Sequence, residues 1–207
     1  MYSMYIKQLL ARVIGEEEAA MRADVLMRQY GSAGAVVEST PEDLAAVSGL
    51  SVRAAQLLCL LPSLARRCHL ESFGKSPALV NFDKSSEYAK ALFIGARFEQ
   101  FYMLCLDKAR RLIDYRMIRQ GTVSETPFDL RSITETALRL DARAVIFAHN
   151  HPSGVSAFSI GDIASTRSAI PLLNALNIPL LDHLLVAGNE VSSLRRKRLI
   201  ADEEWPV

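Results

Sequence analysis

Two different hydrophobic periods run along the chain, and they change over near residue 75. Through residues 1–70 apolar positions recur at helical spacing: Leu9, Leu10 and Val13, then Met21, Val25, Leu26 and Tyr30, with Gly31 placed to end that helix. The string Ser39-Thr40-Pro41-Glu42-Asp43 predicts a helix start, with Thr40 as N-cap, Pro41 at the first helical position and acids in the first turn. After the turn Ser48-Gly49-Leu50-Ser51, a further helix is expected from Val52 to about Cys68, kinked or ended early by Pro62. Ser72, Gly74, Ser76 and Pro77 then cluster as turn formers. A boundary is expected there, dividing a helical domain, residues 1–75, from a second domain, residues 76–207.

Beyond that boundary, strand-like runs alternate with helical ones. Helices are predicted over Ser85–Ala96, Phe128–Leu140 and Ile160–Leu176. Strands are predicted over Phe101–Leu106, Arg111–Ile118, Ala144–Ala148 and Leu180–Val186. The polar turn Asp107-Lys108-Ala109-Arg110 joins the first two strands, and Ala187-Gly188-Asn189 turns the last one into Val191. The fold class is therefore α/β with a mixed sheet, preceded by a small all-helical domain.

Composition narrows the function classes. Half of the 207 residues are hydrophobic and 23% are charged, enough apolar material for a core and too little charge for a disordered chain. Lys and Arg number 24 against 23 Asp and Glu, which gives no global electrostatic case for nucleic acid or an acidic membrane as partner. Cys59, Cys68 and Cys105 are odd in number and lack CxxC spacing, so they form neither a disulfide framework nor a zinc knuckle. Cys105, inside an apolar run, is expected to be a small core residue. Glu16, Glu17 and Glu18 come too early for a signal peptide, and Pro171, Pro179, Asp182 and His183 interrupt the apolar stretch from Ile170 to Val186. A soluble cytoplasmic protein without a membrane partner is the expectation.

The chemically informative segment is His149-Asn150-His151-Pro152-Ser153-Gly154, followed by Ser159-Ile160-Gly161-Asp162. Residues two apart on an extended strand point to one side, so the strand ending at His149 and His151 can turn both imidazoles toward one metal ion. Pro152 and Gly154 let the chain leave the strand, and Asp162 falls in the first turn of the next helix, within reach as an oxygen ligand. Two nitrogens and one oxygen leave a fourth tetrahedral position for water, the open geometry of a catalytic zinc. Ser159-x-x-Asp162 is equally a capping box, which would account for both residues without a metal. His69 and His183 have no neighbour of this kind in the sequence and are read as structural.

The pattern His-x-His-Pro, then Ser-x-x-Asp, resembles the JAMM motif of MPN-domain metalloproteins. The longer string AHNHPSG, with Gly121-Thr122-Val123 and Ile178-Pro179-Leu180-Leu181-Asp182-His183, resembles the bacterial RadC family, and the likeness spans most of residues 76–195. The resemblance implies an MPN-type mixed-sheet core with Zn2+ as cofactor, held by His149, His151 and Asp162. It also implies that Ser159 helps to stabilise a tetrahedral intermediate. In that family of enzymes a glutamate near an early strand polarises the metal-bound water, and Glu99 matches it; Glu125 and Glu135 are weaker candidates. Two stretches depart from the family's usual pattern. Arg131-Ser132-Ile133 replaces Arg-Glu-Val/Ile, and Val155-Ser156-Ala157-Phe158 replaces a polar, proline-containing stretch.

The N-terminal domain resembles the helix-hairpin-helix region that precedes the RadC core, with its hairpin at Ser48–Ala55. A DNA-binding hairpin usually reads Gly-x-Gly, so that backbone N–H groups can approach a phosphate; here Ser51 takes the second glycine's place. Arg53, Arg66 and Arg67 are the candidate phosphate contacts, and a solvated face explains them as well. Together these features imply a metal-assisted hydrolase acting on a peptide or isopeptide amide of a peptide or protein substrate. The alternatives are a DNA-repair or DNA-processing factor and a non-catalytic, zinc-bearing MPN scaffold.

Overall fold

The computed structural model describes residues 2–121 and 129–205, which fall into two compact units, Met1–Cys68 and His69–Val207. The first unit is helical: α1 (Tyr2–Ile14), α2 (Glu16–Tyr30), α3 (Ala33–Val37), α4 (Pro41–Ser48) and most of α5 (Val52–Ser72). Gly15, at φ 85°, separates α1 from α2. Thr40 caps α4 as the sequence predicts, its Oγ1 accepting the Asp43 N–H at 3.0 Å. Gly31 and Gly49 end α2 and α4 with left-handed backbones. Leu10, Leu26, Leu44 and Leu58 are almost wholly buried and form the centre of this unit's core.

Pro62 does not end α5, which runs continuously from Val52 to Ser72. The proline gives up one N–H bond, but the Leu- and Ala-rich turns on either side favour helix and carry the chain through. The division between the two units falls inside this helix, between Cys68 and His69.

The second unit is α/β. Its elements are α6 (Phe82–Leu92), β1 (Gln100–Leu106), β2 (Leu112–Gln120), α7 (Leu130–Arg139), β3 (Ala144–Asn150), α8 (Ile160–Ala175), β4 (Leu180–Ala187) and β5 (Glu190–Ser193). Helix α6 starts three residues before the sequence expectation because Asn81 caps it, its Oδ1 accepting the Lys84 N–H at 3.0 Å. The expected start of α7 at Phe128 lies outside the described residues. Among the described residues, five strands form one mixed sheet in the order β2-β1-β3-β4-β5, in which β3 and β4 pair parallel and the other neighbours antiparallel. A parallel pair needs a crossover, and α8 supplies it.

Both faces of this sheet are covered. Phe101, Met103, Cys105, Val145 and Phe147 pack with Ile133 and Ala137 of α7 and with Ala169, Ile170 and Leu173 of α8. On the other face Tyr102, Leu104, Ile146, Ala148 and Leu184 pack with Tyr88, Ala89 and Leu92 of α6. Burial on both sides explains why β1 and β3 are continuous apolar runs without alternation. Cys105 is a core residue as expected, and burial pushes its thiol up to about 12. Among the described residues, no helix is long and apolar enough to cross a membrane.

Phe147 anchors the α7/α8 face. It is fully buried and meets Phe101 and His183 edge to face, at ring-centroid distances of 5.1 and 5.8 Å. Truncating Phe147 to Ala is expected to cost about 3–5 kcal/mol, the usual scale for an aromatic cavity, measured by denaturant unfolding of the metal-free protein.

Candidate metal centre

Strand β3 delivers the first histidine and the chain just beyond it delivers the second. His151 lies one residue past the end of β3, yet its N–H still donates to the Val186 carbonyl of β4 at 2.9 Å, so the extended geometry continues through it. Both imidazoles therefore point to the same face of the sheet, and their Nε2 atoms lie 3.2 Å apart. The chain then turns through Gly154, at φ 79°, where a side chain would strain the backbone. The Nδ1 of His151 faces the Val155 carbonyl at 2.9 Å; a carbonyl only accepts, so Nδ1 carries a proton, and Nε2 is the nitrogen left bare in the neutral form of the ring.

Ser159 opens α8 with a complete capping box. Its Oγ accepts the Asp162 N–H at 3.0 Å, while Asp162 Oδ2 accepts the Ser159 N–H at 2.7 Å and its hydroxyl at 2.8 Å. The same Oδ2 lies 3.5 Å from His149 Nε2 and 3.9 Å from His151 Nε2. The cap and the metal reading are thus compatible, because the cap holds the carboxylate in the orientation that faces the histidines. One ligand atom each from His149, His151 and Asp162 fall within 4.8 Å of one another, a cluster that could hold a metal ion. His149 and Asp162 are buried and His151 is half-buried. Burial alone would raise the Asp162 carboxyl, but His149 and Ser159 together hold it well below the usual carboxylate range.

Two residues that the sequence did not assign to the site complete its inner side. His183, read as structural, is fully buried and presents Nε2 to His149 Nδ1 at 2.8 Å. Its Nδ1 lies 2.6 Å from Thr166 Oγ1, and Thr166 donates to the Asp162 carbonyl at 2.6 Å. Burial, and then the nearby His149, push the His183 imidazole well below its ordinary value and keep it neutral. The signal that could have found it is topological. A strand–helix–strand unit predicts that β4 pairs parallel to β3, which places a histidine early in β4 beside the histidine strand.

Glu99 lies just before β1. Phe101, two residues further on, pairs with His149 across β1 and β3. The Glu99 carboxylate is partly buried and 3.7 Å from the guanidinium of Arg119, the cross-strand neighbour of Phe101 on β2. Asn150, also unassigned by the sequence, fixes this segment. Its buried amide accepts the Gln100 N–H at 2.8 Å and donates to the Phe98 carbonyl at 3.2 Å, on either side of Glu99. Glu135, by contrast, is exposed and paired with Arg131 on α7, and Glu125 lies outside the described residues, as do Thr122 and Val123.

In the hairpin of the helical unit two backbone donors are already bonded. The Gly49 N–H donates to Ala45 at 2.8 Å and the Leu50 N–H to Ser48 Oγ at 3.3 Å, while the Arg22 guanidinium donates to the Ser48 carbonyl and packs against Gly49. Arg53 and Arg67 are exposed, and Arg66 is half-buried.

Comparison with known proteins gives the chain's family. The model of the RadC-like JAB domain matches residues 79–199, which is more than half of the chain and includes every member of the cluster. A UPF0758 protein of Bordetella bronchiseptica is 34% identical over 169 residues, covering 82% of this chain and 75% of its own. One from Alcanivorax borkumensis is 34% identical over 191 residues, covering 90% and 85%. One from Cupriavidus taiwanensis is 32% identical over 169 residues, covering 82% and 74%. The chain belongs to the family of RadC-like JAB-domain proteins.

Proposed function

We propose that the second unit is a zinc-dependent hydrolase that cleaves a peptide or isopeptide amide in a peptide or protein substrate. The observation that carries this reading is the convergence of His149 Nε2, His151 Nε2 and Asp162 Oδ2 on one face of the sheet. Two imidazole nitrogens and one carboxylate oxygen suit zinc and leave a coordination position for water or substrate, as catalytic rather than structural sites do. Zinc held there supplies a Lewis acid that polarises a carbonyl and brings the pKa of a coordinated water toward neutrality.

The chain's own residues do the rest. The Glu99 carboxylate accepts the attacking water's proton as the new C–O bond forms, then passes it to the leaving amine as the C–N bond breaks. Ser159 Oγ–H donates to Asp162 Oδ2 in this structure. Turning that hydroxyl toward the substrate would supply a donor to the developing oxyanion while Oγ keeps accepting the Asp162 N–H. The free cysteines Cys59, Cys68 and Cys105 suit the reducing cytoplasm as the place of action.

A second reading, a zinc-bearing scaffold without catalysis, is favoured by one feature. Arg119 stands 3.7 Å from Glu99 and competes for the carboxylate that the hydrolase reading needs as a base.

The first of two experiments tests the zinc common to both readings, and the second separates them. Elemental analysis is expected to find about one zinc per chain in the wild type and little in His149→Ala or Asp162→Ala. Full retention by both variants would contradict the ligand assignment. Glu99→Gln keeps size and hydrogen bonding but removes the basic oxygen, so it is expected to retain fold and zinc. Its cleavage rate, followed by mass spectrometry on peptide- and isopeptide-linked substrates, is expected to fall about a hundredfold or more. An unchanged rate would exclude Glu99 as the base, and a zinc-loaded wild type that cleaves none of them would favour the scaffold.

A further inference from the structure

The proton positions around His149 follow from one fixed point, a backbone carbonyl. Thr166 Oγ1 lies 2.6 Å from the Asp162 carbonyl oxygen, which can only accept, so the single hydroxyl proton of Thr166 points there. Toward His183 the same oxygen can then only accept, and the 2.6 Å contact requires the proton to be on His183 Nδ1. A neutral imidazole has one N–H, so His183 Nε2 is an acceptor. The 2.8 Å contact between His183 Nε2 and His149 Nδ1 therefore requires the proton to be on His149 Nδ1. In the neutral ring that leaves His149 Nε2 as a bare lone pair, aimed at the Nε2 of His151 and the Oδ2 of Asp162.

We infer that His183 and Thr166 are positioning residues that lock His149 in the tautomer whose Nε2 is free to bind a metal. The inference deepens the zinc reading and rests on it for its consequence, but the tautomer itself is a property of the metal-free chain. The alternative arrangement is excluded by the same bonds. A proton on His149 Nε2 would leave two lone pairs, His149 Nδ1 and His183 Nε2, facing each other in a buried space, where unmade hydrogen bonds are costly. His151 reaches the same state by a simpler device, donating Nδ1–H to Val155. In their neutral forms both histidines thus bring lone pairs to the Asp162 carboxylate, an arrangement that a cation relieves.

The device is economical in chain length. Asp162 and Thr166 are four residues apart on α8, so one face of a single helical turn touches the site twice. Asp162 meets the outward nitrogen of His149, and Thr166 acts through His183 on the inward one. Phe101, Phe147 and Phe158 surround His183 at ring-centroid distances of 5.5 to 5.8 Å, which leaves the ring little room to flip.

The test uses the metal-free full-length protein, with 15N–1H long-range correlation spectra of its histidines. His149 and His183 are both expected to show a protonated Nδ1 and an unprotonated Nε2. Thr166→Val, nearly isosteric but without the hydroxyl, is expected to mix the tautomers of both rings. It should also weaken Zn2+ binding, titrated as the metal alone against a chelating dye, by about ten- to a hundredfold. Thr166→Ser restores both properties if the hydroxyl is the cause. A wild-type His149 protonated at Nε2 overturns the inference, and so does a folded Thr166→Val with unchanged tautomers and unchanged zinc affinity. A wild type with the stated tautomers and no zinc binding supports the lock and overturns the zinc reading, so the two failures are distinguishable.

Discussion

The site depends on one constraint: the two nitrogens of His149 must face two different partners. One is turned inward to His183 at 2.8 Å, the other outward to His151 and Asp162. This is possible only because β3 and β4 lie parallel with Phe147 opposite His183, which brings a buried histidine of β4 beside the ring of His149. The parallel pairing in turn needs α8 as its crossover, and α8 is the element that carries Asp162 and Thr166. The connection that closes the sheet is therefore also the one that holds the ring from both ends.

The beginning of α8 serves two ends with one set of atoms. Helix starts leave backbone N–H groups without partners, and a carboxylate there is favoured both by those donors and by the helix dipole. The Ser159 backbone N–H orients Asp162 in this way, while His149 and then Ser159 hold its carboxyl below the usual range. A ligand fixed by the fold loses less freedom on binding than a mobile surface acid would. The cap that competes with a metal site as an explanation of Ser159-x-x-Asp162 is thus the means by which such a site is prepared.

Much of this was legible in the sequence, for local reasons. The apolar run of β3, the two histidines at its end and the start of α8 are all signals within some twenty residues, and the structure sets them as the pattern implies. The mixed sheet followed from alternating strand and helix periods. What was missed depends on long-range register or on neighbours that outweigh a single residue. His183 lies 34 positions from His149 and Asn150 lies 50 from Gln100, so only the pairing of strands reveals what they touch. Pro62 failed to end a helix that its neighbours sustained. Glu99 was reached through resemblance, because nothing in its immediate sequence distinguishes it from a solvated residue at a strand start.

The most direct measurement is X-ray absorption at the zinc K-edge of the protein loaded with one equivalent of Zn2+. The account predicts a first shell of nitrogen and oxygen alone at about 2.0–2.2 Å, with the outer scattering of two imidazole rings. A sulfur shell near 2.3 Å, which would place the metal on Cys59 or Cys68, or a spectrum of hydrated zinc without imidazole scattering, would contradict it.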